Sequence, residues 1–314
     1  MKILVTGATG FIGSRFIRLA LSRGHQIIGL TSSERAIPSH LPPDEYLTWL
    51  RGTLGGVSLR EIESSPPDVC LHTAWITTPG VYLESPENER FLESSLRFFR
   101  RVRELGTGHI FGLGTCIEYK IGDGVLSEDR TPAEPKTLYA RCKNQLRLAM
   151  EAEASANNFL FSWGRVFYPY GLGEHPSRLC SSIIQRLARN EEILLKTPTA
   201  TKDYIYIDDL AGALMAVIEN RCGGVINLGT GVGVSVREIA QTLGQMTGKA
   251  ELIREASPPE PDPLGDIIAD ASKLRSLGWG THYTLKQGLK ELLTAHGLFP
   301  YIPPDDPSGR LGSK

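Results

Sequence analysis

The 314-residue sequence lacks the closely spaced cysteines of a disulfide or zinc scaffold. Its five cysteines, Cys70, Cys116, Cys142, Cys180 and Cys222, lie far apart and form no C-x-x-C pair. An odd, scattered set argues against a disulfide framework or a structural zinc and is typical of a reducing compartment. The opening MKILVTGATG also lacks an apolar signal segment, so we expect a cytoplasmic protein without a metal site.

The sequence also lacks an excess of either charge and any long apolar run. Its 34 Lys and Arg residues balance 35 Asp and Glu residues, for a net charge of −1. We therefore expect neither nucleic acid nor an anionic membrane surface as a partner. No apolar run approaches the roughly 18 residues of a membrane span. The length suits one large domain or two modest ones, which can bury a full core.

Glycine is the residue that the sequence has in excess, with 33 of 314 positions against roughly 7% on average. Three of these glycines lie in TGATGFIG, residues 6–13, between an apolar run at Lys2–Thr6 and a helical pattern at Phe11–Arg23. Another apolar run follows at Gln26–Leu30, which completes a β-α-β unit. Glycines at this place allow a tight turn and close approach of the backbone to a pyrophosphate, and the helix N-terminus offers free N–H groups. The segment predicts a dinucleotide-binding loop.

The alternation of strands and helices continues to about residue 166. Near-continuous apolar strands between amphipathic helices predict an α/β fold with a Rossmann-type, doubly wound parallel sheet. We expect a dinucleotide-binding domain at 1–167 and 204–228, a smaller discontinuous substrate lobe at 168–203 and 229–302, and a flexible tail at 303–314. The later strands are predicted at Tyr46–Leu50, Val69–Thr73, His109–Leu113, Phe159–Val166 and Gly224–Leu228, and the helices at Leu59–Ser64, Glu87–Leu105, Leu138–Ala156, Arg178–Asn190 and from an Asp208 cap through Ile218.

A Tyr-x-x-x-Lys pair, Tyr139 and Lys143, opens the helix predicted at Leu138–Ala156. The i, i+4 spacing places both side chains on one helix face. The pKa of free tyrosine is near 10, too high for efficient proton transfer at neutral pH, and a nearby lysine ammonium lowers it. Tyr139 can then exchange a proton with a substrate oxygen while a hydride moves to or from nicotinamide.

The G-x-x-G-x-x-G loop together with the Tyr-x-x-x-Lys pair resembles the short-chain dehydrogenase/reductase superfamily, in particular its extended branch of NAD-dependent sugar-nucleotide epimerases, dehydratases and reductases. Similar stretches include RVFYPYG at 165–171, KDYIYIDD at 202–209 and NLGTG at 227–231. The resemblance covers roughly residues 1 to 295. It implies a nucleotide-sugar substrate and a homodimer that forms through two helices of each chain.

The resemblance also implies the residues of the site. Thr115 matches the hydroxyl that bonds the reacting oxygen, and Lys143 matches the lysine that also holds the nicotinamide ribose. The catalytic residues are thus Thr115, Tyr139 and Lys143. The implied cofactor-binding residues are Gly7, Thr9, Gly10, Phe11, Ile12, Gly13, Thr31, Ser32, Arg35, Thr53, Leu54, Thr73, Ala74, Trp75, Tyr139, Lys143 and Phe167, and the substrate-binding residues are Thr115, Cys116, Tyr168, Arg178 and Lys202.

The end of the second strand bears on the choice between NAD and NADP. A carboxylate at this position binds the ribose hydroxyl of NAD and repels the 2′-phosphate of NADP. This chain has Thr31 and Ser32 there, with Arg35 close behind. Hydroxyls and a guanidinium suit a phosphate, so we expect NADP(H) rather than NAD(H). Glu34 favours NAD(H) instead, because it places a carboxylate near this position.

Some residues depart from the motifs of this family, and these departures narrow the range of reactions that we expect. Its dehydratases carry an Asp-Glu pair directly after the catalytic threonine, where this chain has Cys116 and Ile117. Ile117 cannot transfer a proton, so we do not expect dehydration. Glu118 follows one residue later, and on a strand it would face the opposite side. Epimerisation beside a ketone by Cys116 and His175 stays open.

Three functions remain open from the sequence. The first is an NADP(H)-dependent reductase of a nucleotide-linked 4-keto-6-deoxy sugar, with Tyr139 as the proton donor and with Arg178 and Lys202 binding the phosphates. The second is a sugar-nucleotide 4-epimerase that retains NAD. The third is a non-catalytic dinucleotide sensor, against which the intact Tyr139 and Lys143 argue.

Overall fold

The chain builds a seven-stranded parallel sheet with helices on both faces, as the sequence predicts. The computed structural model describes residues 1–32, 37, 41, 43–122 and 124–299. Arg35, Glu34 and the tail expected at 303–314 lie outside the described residues. No helix of the described part is long and apolar enough to cross a membrane.

The strands of the described part are β1 (Lys2–Thr6), β2 (Gln26–Thr31), β3 (Leu47–Arg51), β4 (Val69–His72), β5 (His109–Thr115), β6 (Val125–Leu126), β7 (Leu160–Val166), β8 (Tyr168–Tyr170), β9 (Ile193–Leu195), β10 (Thr201–Tyr206), β11 (Gly224–Leu228), β12 (Gly233–Ser235), β13 (Ile253–Glu255) and β14 (Ile268–Ala269). The α-helices are α1 (Phe11–Ser22), α2 (Arg60–Glu63), α3 (Glu87–Glu104), α4 (Leu138–Asn157), α5 (Leu179–Ala188), α6 (Ile207–Glu219), α7 (Val236–Thr247), α8 (Ser272–Ser276) and α9 (Leu285–Ala295).

The order of the large sheet is β3-β2-β1-β4-β5-β7-β11. The chain starts in the middle, at β1, and returns to pair β4 on the other side of it. Ligands of such sheets bind at this reversal, outside the carboxyl ends of the strands. The connections after β1 and β4 therefore lie where a dinucleotide is expected.

Two layers of apolar side chains cover the faces of the sheet. Phe16 of α1 and Leu214 of α6 belong to one core, whereas Phe98 of α3 and Met150 of α4 belong to the other, and all four are fully buried. At roughly 25 cal/mol per Å² of apolar surface, each such side chain contributes about 1.5–3 kcal/mol by its burial. Helices on both faces confirm the doubly wound architecture.

The segments after β7 form smaller sheets beside the large one. β10 pairs in parallel with β8 and antiparallel with β12, while β13 pairs with β9 and β14 with β6. The predicted domain boundary at residue 204 falls inside β10, whereas α6 packs on α1 and β11 joins the large sheet. The division into a dinucleotide domain and a substrate lobe stays a prediction.

One predicted helix cap is wrong. Asp208 does not cap α6, because the helix already begins at Ile207 and Tyr206 occupies the cap position in an extended conformation. Asp208 lies in the first turn instead, where a carboxylate favours the positive end of the helix dipole. At the end of α1, Gly24 follows the last turn with φ +74°, the left-handed conformation in which glycine commonly ends a helix.

Candidate active site

The glycine loop connects β1 to α1 and folds back on itself. Gly7 has φ +65°, and a Cβ added there would lie 2.8 Å from the Ala74 nitrogen. A Cβ on Gly13 would lie 2.4 Å from the Gly7 carbonyl oxygen, and one on Gly10 would lie 3.0 Å from that oxygen. Side chains therefore have no room inside this turn, and the first N–H groups of α1 stay open to a ligand.

A cavity of about 220 Å³, the glycine-loop cavity, lies over this turn at the carboxyl ends of β1 to β3. It brings together eight of the residues expected to bind the cofactor. They are Gly7, Thr9, Thr31, Ser32, Thr53, Leu54, Ala74 and Trp75, and they are joined by Leu30, Gly52 and Phe91, which sequence reasoning missed. Phe91 carries no motif and reaches the cavity from α3, so only tertiary structure reveals it.

Thr31 stands at the end of β2, where the expected carboxylate is absent. Its buried hydroxyl lies 2.9 Å from the hydroxyl of Thr9. The two hydroxyls join the strand end to the glycine loop and place neutral polar groups at the wall of the glycine-loop cavity. Arg35, the second part of the NADP argument, lies outside the described residues.

A second cavity of about 130 Å³, the tyrosine cavity, adjoins the catalytic residues that the sequence predicts. Thr115 closes β5, and Tyr139 and Lys143 come from the first two turns of α4. α4 starts here because the Thr137 side chain accepts a hydrogen bond from the Ala140 nitrogen at 3.2 Å, a helix cap. The cavity is lined by Ile12, Thr73, Trp75, Thr77, Tyr82, Leu113, Gly114, Thr115, Cys116, Ile117, Tyr139, Lys143, Val166, Phe167, Tyr168, Pro169 and Arg178.

Tyr139 and Lys143 are nearly buried, and this burial sets their protonation. Burial raises the pKa of the Tyr139 phenol above its ordinary value, and the guanidinium of Arg178 opposes part of that rise. Burial also lowers the pKa of Lys143 to about 7. The expectation that Lys143 lowers the pKa of Tyr139 is wrong for the chain by itself. The Lys143 ammonium instead donates to the Leu113 carbonyl at 2.7 Å and lies 5.9 Å from the centre of the Tyr139 ring.

Cys116 lines the tyrosine cavity, but the structure does not make it a base. Burial raises the pKa of its thiol to about 12, so the thiol stays protonated near neutral pH. His175 does not accompany it, because His175 is exposed and its Nδ1 lies 2.8 Å from the Ser177 hydroxyl in its own loop. The pair considered for epimerisation beside a ketone is thus not assembled.

Glu118 does not line the tyrosine cavity, but the reason differs from the predicted one, which was the alternation of side chains along a strand. Residues Cys116–Glu118 form a 3₁₀ turn rather than a strand, and Glu118 is fully buried beneath it. Its carboxylate accepts hydrogen bonds from the Thr115 nitrogen at 2.9 Å, from Trp163 Nε1 and from Arg165 Nε at 2.9 Å. The carboxylate therefore fixes the backbone of Thr115 instead of reaching substrate.

The two cations proposed for substrate phosphates differ in position. Arg178 lines the tyrosine cavity and also a neighbouring cavity formed with Tyr82, Tyr168 and Tyr204. Lys202 lines neither, since its buried ammonium pairs with Asp262 at 2.5 Å and donates to the Gly265 carbonyl. The Asp262 carboxylate neutralises Lys202, so the prediction that Lys202 binds phosphate does not fit this geometry.

Three expected cofactor residues line neither cavity with their side chains. Gly10 and Gly13 have none and act through the turn itself. Phe11, the first residue of α1, packs against the apolar core. Phe167 and Tyr168 do line the tyrosine cavity, as expected, directly after β7.

The chain is similar to known proteins over most of its length. The model of the NAD dependent epimerase/dehydratase family matches residues 3–229. A UDP-glucose 4-epimerase of Corynebacterium glutamicum is 26% identical over 306 residues, which is 90% of this chain and 92% of that protein. A dTDP-6-deoxy-L-talose 4-dehydrogenase (NAD(+)) of Aggregatibacter actinomycetemcomitans is 26% identical over 245 residues, which is 76% of this chain and 87% of that protein.

The fold has close structural neighbours as well. The crystal structure of the UDP-glucose 4-epimerase of Thermotoga maritima with UDP-glucose superposes with a TM-score of 0.81 at 22% identity, covering 95% of this chain and 99% of that chain. The family match spans the glycine loop, Thr115, Tyr139 and Lys143. The chain therefore belongs to the NAD-dependent epimerase/dehydratase family of enzymes, in the extended branch of the short-chain dehydrogenases/reductases.

Proposed function

We propose that the chain is an NADP(H)-dependent reductase of a nucleotide-linked 4-keto-6-deoxy sugar. One observation carries the proposal. The tyrosine cavity holds a buried, proton-bearing Tyr139, while the two positions after Thr115 are a protonated Cys116 and an inert Ile117. Such a site can donate one proton to a carbonyl oxygen and has no second group after Thr115 to remove water.

The residues divide the work between the two cavities. The glycine turn has no room for side chains, which fits a pyrophosphate against the N-terminus of α1, and a pyridine dinucleotide would extend from there past Trp75 to Lys143. When bound, the dinucleotide supplies the hydride. Thr115 orients the substrate oxygen, Tyr139 donates the proton and Arg178 binds a substrate phosphate.

The choice of NADP(H) rests on Thr31 and Ser32, the two hydroxyl residues at the end of β2 that line the glycine-loop cavity. Neutral hydroxyls at the end of β2 do not repel a 2′-phosphate, whereas a carboxylate there would. The talose dehydrogenase among the relatives is named for NAD(+), so this part of the proposal needs its own measurement. Comparing the Kd of NADPH with that of NADH decides it, and tighter binding of NADH would contradict the proposal.

A 4-epimerase is the second candidate, because the relatives and neighbours include UDP-glucose 4-epimerases. An epimerase oxidises and re-reduces one carbon around a retained dinucleotide, so it consumes no NADPH. Incubation with a panel of nucleotide-linked 4-keto sugars, followed by NADPH absorbance, separates the two. We expect consumption with at least one member. Purified protein that carries tightly bound NAD and consumes no NADPH would support the epimerase instead.

The location and the oligomeric state of the protein belong to the same proposal. We propose a cytoplasmic homodimer that forms through α3 and α4, which pack together on one face of the sheet. Sedimentation equilibrium should then give twice the chain mass of 34.4 kDa. A mass equal to that of one chain would exclude the dimer.

A further inference from the structure

Trp75 occupies the junction between the two cavities. It follows β4 by three residues and is the one described residue that lines both the glycine-loop cavity and the tyrosine cavity. Its indole is largely buried. A ligand that spans both cavities must therefore pass along this ring.

A buried amide fixes the orientation of the indole. Trp75 Nε1 donates to Asn88 Oδ1 at 2.8 Å. The amide nitrogen of Asn88 donates to the carbonyls of Tyr82 and Ser85 at 2.6 and 2.8 Å, which leaves its oxygen to accept from Trp75. Phe91 supports the ring at a centroid distance of 5.5 Å.

The face of the fixed indole carries the ammonium of Lys143. Lys143 Nζ lies 3.8 Å from the ring centre of Trp75, and its hydrogen bond to the Leu113 carbonyl holds it from another side. A cation over an indole face is stabilised by the ring quadrupole, and more so when it is shielded from water. Lys143 is shielded, with only 3% of its surface exposed.

We infer that Trp75 is a positioning residue for Lys143, which keeps the lysine charged and aimed at the junction through which a dinucleotide reaches the tyrosine cavity. Without the ring, Lys143 would keep its hydrogen bond to the Leu113 carbonyl and the electrostatic attraction of Glu118. The inference goes beyond the proposed reductase, because the family resemblance implies only that Trp75 contacts the cofactor and not that it acts on Lys143.

The charged and titratable neighbours of Lys143 come from three elements. Glu118 of the 3₁₀ turn favours its ammonium form. Tyr139 lies one turn away on α4, and the pKa of His72 of β4 is lowered mainly by burial and further by the charge of Lys143. Tyr82 and Arg178 line the same cavity from loops. Trp75 is the uncharged group among them that can be replaced without adding or removing a titrating site.

The first test needs no dinucleotide. Tryptophan emission of the full chain is recorded from pH 6 to 9, and we expect an inflection near pH 7 as Lys143 loses its proton beside Trp75. The inflection should vanish in Trp75→Phe, because Trp49, Trp163 and Trp279 make no cation–π contact in the described part. Lys143→Met should abolish it too. An inflection that survives in Trp75→Phe, or none in the unaltered protein, would overturn the inference.

The second test uses the intrinsic fluorescence of NADPH and therefore rests on the proposed function. In Trp75→Leu the loss of NADPH affinity with rising pH should begin about one pH unit lower than in the unaltered protein, in addition to any loss of ring contact, which is the same at every pH. A weakening that is equal at pH 6 and pH 8 would identify plain packing and overturn the inference. If the unaltered protein binds neither NADPH nor NADH, the proposed function fails, and the emission titration still decides the role of Trp75.

Discussion

At the scale of single residues, the site combines a phenol that keeps its proton with an amine that readily loses one. Both properties follow from burial, which disfavours the charged form of each group. Tyr139 is therefore ready to donate to a carbonyl oxygen, whereas the ammonium form of Lys143 is supported, in our inference, by the face of Trp75. The Tyr-x-x-x-Lys spacing predicted the pair, but only the packing around Lys143 revealed which groups act on each pKa.

Replacing the proton donor gives the first prediction. Tyr139→Phe removes the phenol oxygen but keeps the ring, so we expect kcat to fall by about 10²–10⁴-fold. The Kd of NADPH should change little. Steady-state kinetics and fluorescence titration measure the two quantities. Tyr46→Phe, on an exposed tyrosine before β3, is the control and should keep full activity. A Tyr139→Phe enzyme with normal kcat would remove Tyr139 from its proposed role.

Lys143 gives a prediction about stability and pH. Its pKa in the folded protein is about 7, below the value of 10.5 for a free lysine. Between these values the unfolded chain binds more protons, so this group makes the free energy of unfolding rise as the pH increases from 7 to 10.5. We expect urea unfolding of Lys143→Met, compared with the unaltered protein, to show a stability difference that shifts in favour of the unaltered protein above pH 7. A difference constant from pH 6 to 9 would contradict the assigned pKa.

At the scale of elements, the turns after the strands position the site. The glycine loop after β1 borders the glycine-loop cavity, and the 3₁₀ turn after β5 borders the tyrosine cavity. Pattern and spacing predicted the loop, because its glycines have no substitute in so tight a turn. They did not predict the turn at Cys116–Glu118, whose conformation depends on a carboxylate buried against Arg165 of β7.

The glycine loop can be tested with one methyl group. In Gly13→Ala the added Cβ would lie 2.4 Å from the Gly7 carbonyl, so the backbone of the loop must shift. We expect a loss of about 1–3 kcal/mol in the free energy of unfolding and dinucleotide binding too weak to measure. Gly280→Ala is the matched control, because no atom lies within 4 Å of its added Cβ. Equal dinucleotide affinity in the two variants would exclude the loop as a binding site.

The buried ion pair of Glu118 and Arg165 yields a second prediction for an element. Glu118→Gln leaves Arg165 charged and buried, which costs about 3–5 kcal/mol in the free energy of unfolding. The exposed pair of Glu192 and Arg254 provides the comparison, and Glu192→Gln should cost less than about 1 kcal/mol. Chemical denaturation measures both. Equal losses would show that the network beneath Thr115 does not hold the turn.

At the scale of the whole molecule, the parallel direction of the strands in the large sheet was predictable. The contacts between the segments that follow β7 were not. Apolar strands between amphipathic helices predict a doubly wound sheet because only helices can cover both of its faces. The partners of β8 to β14 depend on contacts between distant segments, as with Lys202 of β10, whose ammonium meets Asp262. The sequence could not show this contact, which is why it led us to expect that Lys202 binds a phosphate.

For the whole molecule, we propose that the chain reduces a sugar carbonyl with a hydride from NADPH and a proton from Tyr139. The most direct measurement uses NADPH with deuterium on the transferred position, a nucleotide-linked 4-keto-6-deoxy sugar, and mass spectrometry of the product. We expect the unaltered protein to form a product with one deuterium at carbon 4 of the sugar, and Tyr139→Phe to form none. A product without deuterium, or the same labelled product from Tyr139→Phe, would contradict it.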